Sequence, residues 1–338
     1  MRKILVTGGA GYVGSHLVRK LLDRGVHVRV LESFLYGNRG LEGIPETPRL
    51  EVLRGDICRT ADLRRALEGC EAAVALAALV GDAACDFDPV YTMEVNFEAT
   101  KRLLAVCREL GVRRIVFASS CSVYGANGDH LLDEESPLNP VSLYARTRIL
   151  SERFLAENRG PVDVVVLRLA TVCGVSPRMR FDLMVNTMTA RAVVEGHVRI
   201  FGPKQWRPHV HVQDAAEAFA RAVEAPRVGF RVYNVGSDGQ NFTVEEVARK
   251  VATLVPGIRL ETVPSRNDPR SYRVRFERIR RELGFEAQRT VDDAILEVRH
   301  LLSNGHEIDY REPEFHNAAA LRLKGTKYAA YPEALPGR

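Results

Sequence analysis

The segment Thr7-Gly8-Gly9-Ala10-Gly11-Tyr12-Val13-Gly14 limits what this chain can fold into more than any other stretch. It follows the short apolar run Ile4-Leu5-Val6 and leads into Val13 to Leu22, a helical pattern that ends before Gly25. In that context Gly8 permits a tight turn, Gly11 lets backbone approach a pyrophosphate, and Gly14 allows close helix–strand packing. The helix N-terminus then offers unpaired N–H groups to phosphate, which makes Gly8, Gly11, Tyr12 and Val13 candidate cofactor contacts. The remaining first half fits the same plan. Val26–Leu31, Leu50–Leu53, Ala72–Leu79, Arg114–Ala118 and Val162–Leu169 read as buried strands. Ala61–Leu67, Val90–Leu110 (closed by Gly111) and Leu143–Glu157 read as helices. Continuous apolar strands alternating with helices predict an α/β fold, a doubly wound parallel sheet covered on both faces.

Beyond Arg168 the pattern loosens. Phe181–Glu195 and Asp214–Glu224 read as helices, Val198–Phe201 as a strand, and short strands are expected near Val232 and Leu260. Thr243 is placed to cap a further helix with Glu245 and Glu246 in its first turn. The expected division is a cofactor domain of residues 1–167 plus about 209–230 and a smaller α/β C-terminal lobe of about 168–208 plus 231–304. Residues 305–338, rich in charge and Pro, read as an extension over the surface.

Composition excludes other classes. Of 338 residues 46% are hydrophobic, and 48 basic against 43 acidic side chains leave a net charge of +5, too mild and too scattered for a nucleic-acid binder. The apolar stretch after Arg2 and Lys3 stops at Thr7, too short for a secretory signal, and no run approaches the ~18 residues of a membrane span. Six scattered cysteines without a CxxC pair suggest free thiols, no metal site, and a cytoplasmic protein.

Glu32 ends the second strand, where a carboxylate accepts from the adenosine ribose hydroxyls and repels a 2′-phosphate; NAD is therefore expected over NADP. Arg29 argues the other way but lies inside the strand. Asp56, after the third strand, meets the adenine edge or caps the following segment.

The spacing Thr-Gly-Gly-x-Gly-x-x-Gly resembles that of the extended short-chain dehydrogenase/reductase family. Ser119-Ser120-Cys121-Ser122-Val123-Tyr124-Gly125 is similar to its Ser-Ser-x-x-Val-Tyr-Gly segment, and Tyr144-Ala145-Arg146-Thr147-Arg148 to its Tyr-x-x-x-Lys motif. Asn96, in Glu94-Val95-Asn96-Phe97, matches the asparagine of its long helix. Gly202-Pro203-Lys204-Gln205-Trp206-Arg207 and His211-Val212-Gln213-Asp214 resemble segments of the nucleotide-sugar epimerase/dehydratase branch. The likeness runs from residue 2 to about 300.

The resemblance implies a Rossmann-type fold and reversible hydride transfer between a sugar carbon and NAD. Tyr144, as phenolate, would take the sugar hydroxyl proton, with its pKa brought below ~10 by a fixed cation. Ser120 would hold the same oxygen, with Ser122 beside it. Ile57, Ala77, Ala78 and Asn96 join the cofactor contacts. The departure is Arg148, where the family has Lys. It keeps the charge but has another shape, so it fills the Lys role, serves a rebuilt site, or marks lost catalysis.

Cys121 and Ser122 stand where the family's 4,6-dehydratases carry Asp and Glu, which disfavours 4,6-dehydration. Cys121 itself reads as a buried, inert thiol. A nucleoside diphosphate would be clamped by Arg207 and one of Arg266 or Arg270. Thr171 and Asn186 stand near that diphosphate, and Asp82 reaches the sugar or caps the next segment. His209 and His211 lack further metal ligands. The expectation is a nucleotide-sugar epimerase acting at C4, homodimeric through the helices containing residues 90–110 and 143–158. A dehydratase, a net oxidoreductase and a catalytically impaired NAD-binding scaffold stand as alternatives.

Overall fold

The computed structural model describes residues 3–264, 270–303 and 308–326. Its centre is a seven-stranded sheet in the spatial order Leu50–Arg54, His27–Glu32, Lys3–Thr7, Ala72–Ala75, Arg114–Ser120, Asp163–Leu169, Phe230–Val235. Every neighbouring pair is parallel. In strand Asp163–Leu169, one in from the sheet edge, Val164, Val165 and Val166 are all fully buried, because helices cover both faces. Helices Gly14–Asp23 and Val212–Glu224 pack Leu17, Leu21, Ala215 and Phe219 on one face. Helices Thr60–Leu67, Ala99–Glu109 and Leu143–Asn158 pack Leu63, Leu103 and Leu155 on the other. The sheet order reverses between Lys3–Thr7 and Ala72–Ala75, which opens a crevice at the carboxyl ends of the strands.

A second core lies beside this sheet. Strand Trp206–His211 pairs in parallel with Thr171–Cys173 and antiparallel with Asn241–Thr243. Arg259–Val263 pairs with His197–Phe201, and Ser271–Val274 with Ala126–Leu132. Helices Met184–Glu195, Val244–Leu254 and Val291–Ser303 bury Val185, Val247 and Ile295 together. The cap expected at Thr243 is a full capping box: its Oγ1 accepts from Glu246 N at 3.2 Å, while Glu246 Oε2 accepts from Thr243 N at 2.7 Å. No helix among the described residues is long and apolar enough to cross a membrane.

Four expectations change. The divisions at 167 and 230 cut through strands Asp163–Leu169 and Phe230–Val235, so the large-sheet unit extends to 169 and again to 235. The helix read from Val90 to Leu110 is interrupted: Pro89–Met93 and Ala99–Glu109 are α-helical, but Glu94–Glu98 forms a π-turn. The helix read from Phe181 begins at Met184, because Phe181 and Asp182 are engaged elsewhere. Residues 308–326 are no surface extension: Phe315 and Leu321 are buried, and helix Asn317–Lys324 lies along the crevice.

Candidate active site

The crevice is a cleft of about 1320 Å³ running from the glycine loop to the second core. That exceeds the ~300–1,000 Å³ of pockets for one drug-sized ligand. At its floor Gly8 has φ +75°, and a Cβ there would stand 2.8 Å from Ala77 N. A Cβ on Gly14 would come within 2.2 Å of Gly8 O, so the helix can start this close to the loop only with glycine. Gly8, Gly11, Tyr12, Val13, Asp56, Ile57, Ala77 and Ala78 all face the cleft.

Glu32 does as well. Its carboxylate accepts from Ala10 N (3.1 Å), Ser33 N (3.1 Å) and Phe34 N (3.2 Å), and burial pushes its pKa up against those bonds. Arg29 is turned away from the cleft: it pairs with Glu51 at 2.7 Å and donates to the carbonyls of Ala66 and Glu68. Asp56 accepts from Cys58 N at 2.9 Å and does not cap helix Thr60–Leu67. A glycine-rich cradle, a helix N-terminus and a strand-end carboxylate suit a dinucleotide.

Ser120, Ser122, Tyr144 and Arg148 wall the same cleft. Ser120, at the end of its strand, accepts from Ser122 N at 3.1 Å, which leaves its O–H for a ligand. The Tyr144 hydroxyl makes no hydrogen bond among the described residues. Arg148, 3% exposed, lies with Cζ 5.4 Å from the Tyr144 ring centre. Its guanidinium donates to Ala118 O (3.1 Å) and Asn96 O (3.3 Å), and its buried Nε has no partner among the described residues. The Tyr144 phenol is nonetheless not lowered as expected. Burial raises it, and the Arg148 guanidinium works against that rise without overcoming it.

Cys121 is buried with Sγ against Arg168 O at 3.3 Å, and burial pushes its thiol far up. The Ser122 hydroxyl is buried and has no hydrogen-bond partner among the described residues. Behind Ser120, Ser119 donates to Glu152, whose carboxylate is paired with Arg168 at 2.7 Å; Arg168 also donates to the Tyr124 hydroxyl at 3.0 Å. This buried network fixes the strand end that carries Ser120.

Two expected contacts do not reach the cleft. Asn96, 1% exposed, spends its amide on Leu79 N (2.9 Å), Leu79 O (3.0 Å) and Thr147 Oγ1 (3.4 Å). It positions Arg148 through its carbonyl instead. Asn186, 0% exposed, is spent on Gly174 N (3.0 Å), Arg180 O (2.9 Å) and Tyr12 OH (3.1 Å).

Thr171, Arg207, Arg270 and Asp82 do face the cleft. Arg270 is paired with Asp82, which therefore caps nothing, and Arg207 donates to Arg270 O at 2.7 Å while lying over the Tyr272 ring. Arg266 lies outside the described residues. His209 bonds Gln240 O and His211 bonds Glu297, so the two rings are engaged separately.

The sequence reading missed Arg178, Arg180 and Asp182 on the loop before helix Met184–Glu195, and Asn317 beyond them; all four line the cleft. Arg180 is held by Asp182 through two bonds of 2.9 Å. The available signal was Pro177-Arg178-Met179-Arg180-Phe181-Asp182, three charges within five residues of a mostly apolar stretch.

Comparison with known proteins agrees with this geometry. The chain is 31% identical over 316 residues to a UDP-glucose 4-epimerase of Mycolicibacterium smegmatis, covering 89% of this chain and 99% of that protein. It is 29% identical over 297 residues to UDP-glucuronic acid decarboxylase 1 of Arabidopsis thaliana, covering 84% of this chain but 66% of that longer protein. The crystal structure of DesIV, a dTDP-glucose 4,6-dehydratase from Streptomyces venezuelae with NAD bound, superposes with a TM-score of 0.80 at 30% identity, covering 89% and 97% of the two chains. Residues 4–236 match one family throughout, and the chain belongs to it: the NAD dependent epimerase/dehydratase family.

Proposed function

We propose that this protein is an NAD-dependent nucleotide-sugar epimerase that inverts C4 of a hexose through a transient keto-sugar. One observation carries the reading: Ser120, Tyr144 and Arg148 wall the cleft that also holds the glycine loop and Glu32, and positions 121 and 122 carry no carboxylate. NAD, when bound, supplies the acceptor and donor of hydride at the sugar carbon. Tyr144 takes the proton of the sugar hydroxyl and later returns it, Ser120 donates to the same oxygen, and Arg148 favours the phenolate. Inversion would require the keto-sugar to rotate in the cleft, so that its oxygen takes the proton back from Tyr144 while the carbon is reduced on its other face. Elimination of water needs an acid and a base at positions 121 and 122. The Cys121 thiol is held protonated by burial, and the Ser122 hydroxyl is a weak acid, which supports epimerisation over dehydration.

Arg207 and Arg270 hold the substrate diphosphate, which replaces Asp82 as the partner of Arg270. A homodimer belongs to the same reading, through the helical segments containing residues 90–110 and 143–158, which leave Val90, Leu110 and Leu150 exposed. The test is incubation with UDP-, TDP-, GDP- and CDP-hexoses, with the products read by NMR. A C4-inverted sugar without net NADH is expected. Loss of water, accumulation of NADH, or no turnover of any sugar would overturn the proposal.

A further inference from the structure

Residues 308–326 fall outside the stretch that matches the family, yet they close one side of the cleft. They are anchored by apolar contact: the Phe315 ring meets Phe181 edge-on at 5.5 Å, Phe181 N donates to Phe315 O at 3.0 Å, and Leu321 packs with Leu79, Ala84, Cys85 and Val95. Asn317, 4% exposed, is the polar centre of this contact. Its Nδ2 donates to Val80 O (3.0 Å), its backbone N to Asp182 Oδ2 (3.0 Å), and its Oδ1 accepts from Arg178 Nη2 (2.7 Å). One side chain thus ties the wall after strand Ala72–Ala75 to the loop carrying Arg178.

Arg178 is the unusual partner. It too is 4% exposed, with Cζ 4.6 Å over the Tyr36 ring. The bond to Asn317 is the one hydrogen bond its guanidinium makes among the described residues, and none of their carboxylates pairs with it. Arg180, two residues on, has its charge answered by Asp182. Burial pulls Arg178 down to about 10 and Arg180 adds to the fall, while Asp182, Tyr36 and Glu32 work against it from beyond ion-pair distance. Its neighbours Tyr36 and Glu32 place it at the cofactor end of the cleft. The glycine loop facing that space, residues 7–14, contributes N–H groups but contains neither Lys nor Arg.

We propose that Arg178, oriented by Asn317, is the counter-charge to the pyrophosphate of the dinucleotide, so that the 308–326 segment completes the cofactor site. This rests on the reading of the cleft as a dinucleotide site, and is independent of which sugar is turned over. A guanidinium matches two phosphate oxygens at once, and the Asn317 bond holds its plane fixed before the ligand arrives.

The test measures binding of NAD, ADP-ribose, adenosine and UDP to the full chain by calorimetry, in the wild type and in Arg178→Met, Arg178→Lys and Asn317→Ala, with thermal melts as a control. Arg178→Met should weaken NAD and ADP-ribose by about 30-fold, the scale of a charge-assisted bond, and leave adenosine and UDP unaffected. Arg178→Lys should recover most of that loss, and Asn317→Ala should speed NAD release. Wild-type affinity for ADP-ribose in a natively melting Arg178→Met protein overturns the proposal, as does a loss confined to UDP or a Lys variant no better than Met. A wild type that binds neither NAD nor ADP-ribose removes the dinucleotide reading itself.

Discussion

Replacing Arg148 by Met isolates what a guanidinium does beside Tyr144. The cation lies 5.4 Å from the phenol ring, and no carboxylate among the described residues is hydrogen-bonded to it. With the ring-centre distance standing for the charge separation and an effective dielectric of ~20, a unit charge favours the phenolate on the order of 3 kcal/mol. Proton abstraction that depends on the phenolate should then slow on the order of 100-fold near neutral pH. The sign is fixed by the structure. Burial already raises the phenol, Arg148 opposes the rise, and removing Arg148 raises it further. The rising limb of the pH–rate profile should therefore move to higher pH, with activity partly recovered under alkaline conditions. Folding should survive, because Met removes a buried cation with no bonded counter-ion, and Asn96 O keeps Ser151 Oγ as a donor at 2.9 Å. The assay is initial rate against pH at saturating sugar, with bound NAD and thermal melting measured on the same samples. Arg148→Lys should restore most of the rate. A natively folded Met variant with unchanged rate and unchanged limb would refute the electrostatic role and leave Arg148 a packing residue.

Four further outcomes are expected. Glu32→Ala should weaken NAD by roughly 10- to 100-fold, the scale of charged hydrogen bonds, and narrow the preference over NADP. Because burial raises the Glu32 carboxyl, wild-type NAD affinity should also fall on acidification sooner than a solvent-exposed carboxyl would dictate, measurable by titration across pH. Gly14→Ala places a methyl 2.2 Å from Gly8 O and should lower the melting temperature together with dinucleotide affinity; a variant losing neither would contradict the close-approach argument. Arg168→Met leaves the buried Glu152 carboxylate with Ser119 alone and should cost about 3–5 kcal/mol of stability in chemical denaturation.

The large sheet was readable because its signal is local. Apolar runs such as Ile4-Leu5-Val6 and Val164-Val165-Val166 can be buried on both faces only in a covered parallel sheet, and the glycine loop fixes which strand comes first. Glu32 was readable for the same reason, standing at the end of a strand, whereas Ser120 and Tyr144 were readable through the resemblance of their segments to a known family. What stayed hidden depends on long-range partners. Asn96 and Asn186 carry the side chain a ligand contact needs, and only the fold shows that Leu79 and Gly174 have already taken it up. The Tyr144 phenol was misjudged because Arg148 is adjacent in sequence terms, whereas the burial that outweighs it is a tertiary property. The charge in the 308–326 segment points to solvent, whereas its docking rests on Phe181 and Val80, far away along the chain.

The π-turn at Glu94–Glu98 makes its helix one residue longer than the axial rise requires, and that surplus has a use. It leaves the Asn96 carbonyl to receive Arg148 Nη2, Ser151 Oγ and Thr100 Oγ1 together. A single-codon deletion between positions 94 and 98 would let the regular ladder close, rotating the upstream turn by about 100° against the downstream one. The acceptor beneath Arg148 would be lost although no side chain near the chemistry had changed, so length at this point is as much part of the site as residue identity.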